Sequence, residues 1–249
     1  MRALCLLASL GLAGCGVVER GSADRFTASG ELLAVSGGDA GAGNACITCH
    51  GIDGRGNGAG TPRLAGLNRG YMAGQLEAYA SGRRRHPEME AIARKLTPAQ
   101  HDAVSAYYAA MSHEPTRQKL RGTPSGHTIY HHGDPARGLA ACASCHGGRG
   151  QGVGAANPPV AGQPAGYLAH QLQQWRDSAR RNDPQGEMQR ISRALSPRES
   201  AALAAYASSL PGDPPRRESL ATSREVHRAD PRNDVSAPQP HGSGSPPAR

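Results

Sequence analysis

Apolar side chains recur at helical spacing in two separate stretches of the chain. Three stand at positions i, i+4 and i+7 in each stretch: Met72, Leu76 and Tyr79, then Leu168, Leu172 and Trp175. That spacing places the three side chains of each stretch on one face of a helix. The segments between the periodic stretches are polar and rich in glycine, which is typical of loops. The pattern therefore predicts an all-α protein.

Two later segments carry the signals that start a helix. Residues 97–100 (Thr-Pro-Ala-Gln) and 196–199 (Ser-Pro-Arg-Glu) each begin with a hydroxyl side chain that can cap a helix. A proline follows at the first helical position, and an amide or a carboxylate stands at the third. We expect a helix after each, the second ending before Pro211.

These features belong to an internal repeat. An offset of 96 residues maps Pro62 onto Pro158, Tyr71 onto Tyr167, and Gln75-Leu76 onto Gln171-Leu172. After a three-residue insertion the offset becomes 99 and maps Met89 onto Met188. The repeat predicts two copies of one small domain, at residues 31–112 and 125–210, joined by a linker at residues 113–124.

Composition leaves these domains short of apolar side chains. Leu, Ile, Val and Phe make up 33 of the 249 residues, whereas glycine alone also contributes 33 and proline 19. With a formal net charge of +8, such a composition approaches that of disordered proteins. A fold with so few aliphatic residues needs another source of apolar surface, such as disulfides, metals or a large cofactor.

The cysteines favour the cofactor. Two identical C-x-x-C-H motifs occupy residues 46–50 and 142–146. A redox disulfide or a zinc site would explain the cysteine pairs, but neither explains a histidine directly after both. Covalent haem attachment does, since two thiolates add to the haem vinyl groups and the histidine ligates the iron. The sequence thus predicts two covalently attached haem c groups, bound by Cys46, Cys49, Cys142 and Cys145, with His50 and His146 on the irons.

The repeat predicts a methionine as the second ligand of each iron, Met89 in the first copy and Met188 in the second. The second copy contains a single methionine, Met188, whose partner is Met89. Both lie in polar segments that we expect to be loops, where packing in a core is a poor explanation for a methionine. A thioether is a soft ligand suited to haem iron. His86 is the rival ligand in the first copy, but the second copy has no histidine at either corresponding position.

The N-terminus predicts export. Residues 1–14 combine a basic residue with an apolar run that is too short to span a membrane, as in a secretion signal. The run ends at Cys15 in a sequence that resembles a bacterial lipobox, which predicts lipidation of Cys15 and a tether at residues 15–30. Ordinary signal cleavage, giving an unanchored periplasmic protein, is the alternative. Gly16 follows this cysteine. In enterobacterial lipoproteins an aspartate at that position favours retention in the inner membrane, so by analogy a glycine favours the outer membrane.

The two C-x-x-C-H domains, each with a downstream proline, a Tyr-x-x-x-Gln-Leu helix and a methionine, resemble the dihaem cytochrome c4 family. The resemblance covers residues 31–210 and implies tandem class I cytochrome c domains. It implies single-electron transfer in the periplasm between respiratory redox proteins, such as a quinol-oxidising complex and a terminal oxidase. It also implies that the carbonyls of Pro62 and Pro158 accept the ring N–H of each haem histidine. A plain loop proline is the alternative, and the doubled Pro158-Pro159 leaves the second carbonyl open.

The net charge and the remaining segments give little further information about the function. The positive charge suits an acidic docking face on a redox partner, and no aromatic-basic platform suggests nucleic acid binding. Residues 211–249, rich in Pro, Ser and Arg, predict a disordered tail or a docking tail. An electron carrier that is not itself an enzyme fits best. A cytochrome subunit of a membrane-bound dehydrogenase or oxidase is the alternative, and a dihaem peroxidase fits less well.

Overall fold

Helices make up the regular structure of the described residues, which are 29–113 and 124–212 of a computed structural model. Within these two ranges there is no β-strand, only three isolated β-bridges, and the all-α prediction is confirmed. The predicted signal peptide, Cys15, nearly all of the tether and linker, and the tail beyond residue 212 lie outside the described residues. No helix within the described ranges is long and apolar enough to cross a membrane.

Five α-helices belong to the first copy of the repeat and five to the second. The first five are α1 (Gly30–Ser36), α2 (Cys46–His50), α3 (Arg69–Ala80), α4 (Pro87–Ala93) and α5 (Pro98–Ala110). The second five are α6 (Pro124–His132), α7 (Ala143–His146), α8 (Ala165–Arg176), α9 (Glu187–Ala194) and α10 (Pro197–Ser208). Short 3-10 helices follow α1 and α6. The periodic faces predicted from the sequence therefore lie on α3 and α8.

The predicted helix starts are present at α5 and α10. The Thr97 hydroxyl accepts the Gln100 backbone N–H, and the Gln100 side chain accepts the Thr97 N–H in return. Ser196 and Glu199 form the same reciprocal capping box. Because two otherwise unpaired backbone donors are satisfied at each start, the direction of each terminal helix is fixed locally.

A glycine brings the first helix of each copy against the last. A Cβ on Gly126 of α6 would lie 2.5 Å from the Ala202 carbonyl oxygen of α10. Gly30 of α1 faces Ala103 of α5 in the same way. The two helices of each pair thus cross at closer range than any side chain would permit.

Two small apolar clusters form the cores. The first contains Leu33, Met72, Val104 and Tyr108, and the second contains residues from Ile129 to Leu210. Cys46 and Cys142 pack against their respective clusters. Each core therefore extends to one C-x-x-C-H motif.

Backbone and side-chain hydrogen bonds join the two copies. The Arg85 N–H donates to the Ala179 carbonyl at 3.0 Å, and the Arg181 N–H donates to the Arg83 carbonyl at 2.7 Å. The Gln163 side-chain amide forms two 3.0 Å hydrogen bonds with the backbone of Arg63. The copies are thus in direct contact through their polar loops.

Candidate functional site

Each C-x-x-C-H motif forms one short helix that ends at its histidine. His50 closes α2 and His146 closes α7, and a glycine with positive φ follows each of them. The loop then folds back, because the Gly56 N–H donates to the His50 carbonyl and the Gly152 N–H donates to the His146 carbonyl, both at 2.8 Å. This turn returns the chain toward the histidine ring.

The returning loop orients both rings. His50 Nδ1 lies 2.9 Å from the Pro62 carbonyl oxygen, and His146 Nδ1 lies 2.8 Å from that of Pro158. A carbonyl only accepts, so Nδ1 carries the proton and Nε2 keeps a free lone pair. The carbonyl in the doubled Pro158-Pro159 segment is that of Pro158. Both rings present Nε2 as a metal ligand would.

Burial favours the neutral form of both imidazoles. It lowers the pKa of His50, the hydrogen bond to Pro62 partly opposes that change, and the charge of His86 lowers it further. Burial likewise lowers the pKa of His146, with the Pro158 hydrogen bond opposing and Arg180 adding to the decrease. The neutral imidazole is the form that binds a metal.

The four cysteines of the motifs differ in their exposure. Cys46 and Cys142 are half-buried, whereas Cys49 and Cys145 are exposed. Burial raises the pKa of Cys142 to about 11 and also raises that of Cys46. Cys46 and Cys142 therefore lie against the apolar cores.

An open cleft lies beside His146. Its wall is mostly apolar and aromatic, and it includes Leu168, Leu172 and Trp175 from the predicted face of α8. Met188 lines the cleft together with His146. Two residues of the first copy, Leu67 and Tyr71, complete the wall. An apolar cleft with an imidazole, a thioether and a thiol at its edge fits a covalently attached haem.

The methionines differ from the sequence prediction in one respect. The prediction that they lie in loops is wrong, because Met89 lies in the first turn of α4 and Met188 in the first turn of α9. Polar caps hold both backbones, since the Met89 N–H faces His86 Nδ1 at 3.5 Å and the Met188 N–H donates to the Asp183 carboxylate. Both side chains are half-buried.

The sequence prediction missed two arginines at this site. Arg180 lines the cleft beside Trp175, and Arg84 occupies the same position in the first copy. The repeat offset of 96 maps one onto the other, which is the signal that could have found them. Among the described residues, by contrast, no group of three His, Cys, Asp or Glu side chains is placed to hold a metal ion.

Comparisons with known proteins agree with this geometry. The sequence profile of the cytochrome c family matches residues 37–112 and 128–211. The thiosulfate dehydrogenase electron acceptor of Stutzerimonas stutzeri is 42% identical over 183 residues, which is 72% of this chain and 85% of that protein. Cytochrome c4 of Pseudomonas aeruginosa is 33% identical over 72% of this chain and 92% of that protein.

A solved structure shows the same fold. A thiosulfate dehydrogenase from Marichromatium purpuratum superposes with a TM-score of 0.64 and 39% identity, over 77% of this chain. This chain spans 43% of that longer protein. With two matches to the family profile and two haem-binding motifs, the chain belongs to the cytochrome c family as a dihaem protein of the cytochrome c4 type, and it carries two covalently bound haem c groups.

Proposed function

We propose that each copy holds a six-coordinate haem with one histidine and one methionine on the iron. His50 and Met89 would serve the first haem, and His146 and Met188 the second. Cys46, Cys49, Cys142 and Cys145 would form the thioether bonds, and Pro62 and Pro158 would orient the histidines. His146 and Met188 on the wall of one cleft support this assignment in the second copy.

Such sites transfer electrons and do not activate small molecules. A six-coordinate haem has no open position for peroxide or oxygen, and His/Met ligation raises its reduction potential. The presence of His146 and Met188 on the wall of one cleft is the observation that carries this function. We therefore place the protein among single-electron carriers.

We further propose that the electron donor is an enzyme that oxidises thiosulfate. Support comes from the 42% identity to a protein named as the electron acceptor of a thiosulfate dehydrogenase, over most of its length. Joining two thiosulfate ions through a new S–S bond releases two electrons, which two one-electron haems can store together. The electrons would then pass to a terminal oxidase. A respiratory carrier that receives electrons from a quinol-oxidising complex is the second candidate, supported by the cytochrome c4 relatives.

The location and division of the chain form part of the proposal. We place the protein in the periplasm, where lipid attached to Cys15 would anchor it to a membrane. The outer membrane is the preferred assignment. Residues 31–112 and 125–210 would form the two haem domains. A short tether, a linker and a polar tail would account for the remaining mature sequence.

Stopped-flow spectroscopy tests the donor. Mixing the oxidised protein with a thiosulfate dehydrogenase and thiosulfate should reduce both haems, and omitting thiosulfate should reduce neither. Reduction by dithionite but not by the enzyme with thiosulfate would reject this donor. Reduction by a quinol-oxidising complex would then favour the second candidate.

A ligand-binding assay tests the carrier chemistry separately. The reduced native protein should bind carbon monoxide slowly or incompletely and should not turn over peroxide, since both irons are saturated. Rapid stoichiometric carbon monoxide binding, or sustained peroxide turnover, would contradict six-coordinate sites in the native protein.

A further inference from the structure

Two histidines lie one helical turn apart on α6, the first helix of the second copy. His127 and His131 stand at positions i and i+4, and their ring centres are 4.8 Å apart. Residues four apart on a helix share one face, so both imidazoles can reach the same point beside it. His127 is exposed and His131 is half-buried. An ion in solution can therefore contact both rings.

Helix packing does not account for these histidines. In the first copy α1 packs on α5 as α6 packs on α10, with a glycine at each crossing. The repeat offset of 96 places Glu31 and Val35 at the positions of His127 and His131. The same helix contact thus forms in the first copy without either imidazole.

A tyrosine of α10 holds the second ring in place. His131 Nε2 lies 2.8 Å from the hydroxyl oxygen of Tyr206, whose side chain is buried. When this oxygen accepts the Nε2 proton, Nδ1 keeps the lone pair. Histidines that bind metals commonly donate their other ring N–H to an oxygen, which fixes the orientation of the ring. One of the two imidazoles is thus oriented before an ion binds.

The electrostatic surroundings favour a cation bound to neutral imidazoles. Partial burial and the charges of His127 and His132 lower the pKa of His131. The neutral form, which is the one that binds a metal, is therefore favoured at neutral pH. His131 also lies in the last turn of α6, where the helix dipole favours positive charge.

The pair offers two ligands to an ion. Bonds from zinc to imidazole nitrogen are about 2.0–2.1 Å long, so rings with centres 4.8 Å apart can reach one ion. The ring centre of His132 is farther away, 6.2 Å from that of His127 and 6.4 Å from that of His131. No third His, Cys, Asp or Glu among the described residues is placed to complete the set. Water would therefore fill the remaining positions on the ion.

We propose that His127 and His131 bind one divalent transition-metal ion, and that copper(II) binds there more tightly than zinc(II) or nickel(II). Imidazole nitrogen suits all three ions, and copper(II) forms the strongest complexes of the series. The ion links two turns of α6 and stabilises the second copy, because it binds the folded helix more tightly than the unfolded chain. The site is separate from the haems and is independent of which enzyme supplies electrons.

Calorimetric titration of the oxidised holoprotein with copper(II) tests the site. Ferric haem does not reduce copper(II), so the titration reports binding alone. His127→Ala and His131→Ala should each weaken the tightest copper site by at least about tenfold, since even the outer partners of metal ligands contribute about 10–100-fold to affinity.

His132→Ala is the matched control, because it removes an exposed imidazole from the same end of α6. It should leave the affinity of the tightest site nearly unchanged. An equal loss in all three variants, or no loss in His127→Ala and His131→Ala, would overturn the proposal.

Thermal unfolding gives a second readout, which is needed if His131→Ala disturbs the contact with α10. His127→Ala keeps the hydrogen bond between His131 and Tyr206, so its fold should match that of the native protein. Zinc(II), which is redox-inactive, should raise the melting temperature of the native protein and of His132→Ala but not that of His127→Ala. A zinc-dependent rise of the same size in His127→Ala would reject the site.

Discussion

The orientation of single side chains decides whether this protein can hold its cofactor. His50 and His146 point Nδ1 at a proline carbonyl, which leaves Nε2 for the iron. The sequence predicted this pair of contacts through spacing and family resemblance, because the distance from histidine to proline is the same in both copies. It missed Arg84 and Arg180, since arginine side chains are usually exposed and the packing that buries these two exists only after folding.

Removal of one methionine should open one haem. Met188→Ala should let the reduced protein bind about one equivalent of carbon monoxide and should lower the potential of the second haem only. If Met188 ligates the iron as we propose, its loss would empty one position on the iron, while His146 and the covalent bonds from Cys142 and Cys145 would remain. Carbon monoxide titration followed by visible spectroscopy measures the effect.

Met72→Leu is the control, because Met72 is buried in the first core and should not ligate iron. It should leave carbon monoxide binding as in the native protein. Unchanged binding in Met188→Ala would show that another residue ligates the second haem.

Among the helices, the last one of each copy, α5 and α10, was the most predictable. Their capping boxes follow from residues 97–100 and 196–199 alone, since a cap depends on neighbours in sequence. The short helices α4 and α9 were predicted as loops because each has fewer than nine residues and a polar composition. Their helical form depends on tertiary packing, which a local pattern does not contain.

The charge at the start of α10 should contribute to stability. Hydrogen bonds from Arg137 and from the backbone and hydroxyl of Ser196 lower the pKa of Glu199 to about 2. The charged form therefore stabilises the fold fully above the usual glutamate pKa, and this contribution disappears as the pH falls toward 2. Glu199→Gln keeps the cap, as Gln100 does in α5, and removes only the charge.

We expect Glu199→Gln to lose ~1 kcal/mol of unfolding free energy at pH 7, because the ion pair is partly exposed to water. The difference from the native protein should vanish near pH 2. Chemical denaturation across this pH range measures it. A loss of the same size at all pH values would assign the effect to the cap and not to the charge.

The helix crossings should tolerate no added methyl group. Gly126→Ala places a Cβ against the Ala202 carbonyl, so we expect it to destabilise the second copy by ~1–3 kcal/mol. Gly74→Ala in α3 meets no atom within 4 Å and should stabilise by ~0.5–1 kcal/mol through helix propensity. Thermal unfolding should show a lower melting temperature for Gly126→Ala and a higher one for Gly74→Ala. Equal changes in melting temperature would contradict the close contact between α6 and α10.

On the scale of the whole molecule, the proposed haem cleft adjoins the second apolar core. The low aliphatic content led to the expectation of a large cofactor, and the cleft is lined by the same helices that form the second apolar cluster. Repeat boundaries were predictable because they need only sequence self-similarity. The contact between the copies was not, since it depends on how two folded units approach each other.

Membrane attachment provides the prediction at this scale. Native protein should fractionate with membranes and partition into detergent, because several acyl chains together anchor a protein stably. Cys15→Ser should release the protein or block its processing. Cys5→Ser is the matched control, since Cys5 lies inside the apolar run of the signal. A soluble native protein with an unmodified N-terminus would contradict the anchor.

The three-residue insertion falls between the interface arginine and the methionine of the second copy. Five positions separate Arg84 from Met89, whereas eight separate Arg180 from Met188, and Gly186 adds a left-handed turn. The segment between the arginine and the methionine is therefore shorter in the first copy than in the second. We expect a displacement at the interface to be transmitted to Met89 through fewer residues than to Met188. We therefore expect partner docking to disturb the ligand field of the first iron more than that of the second.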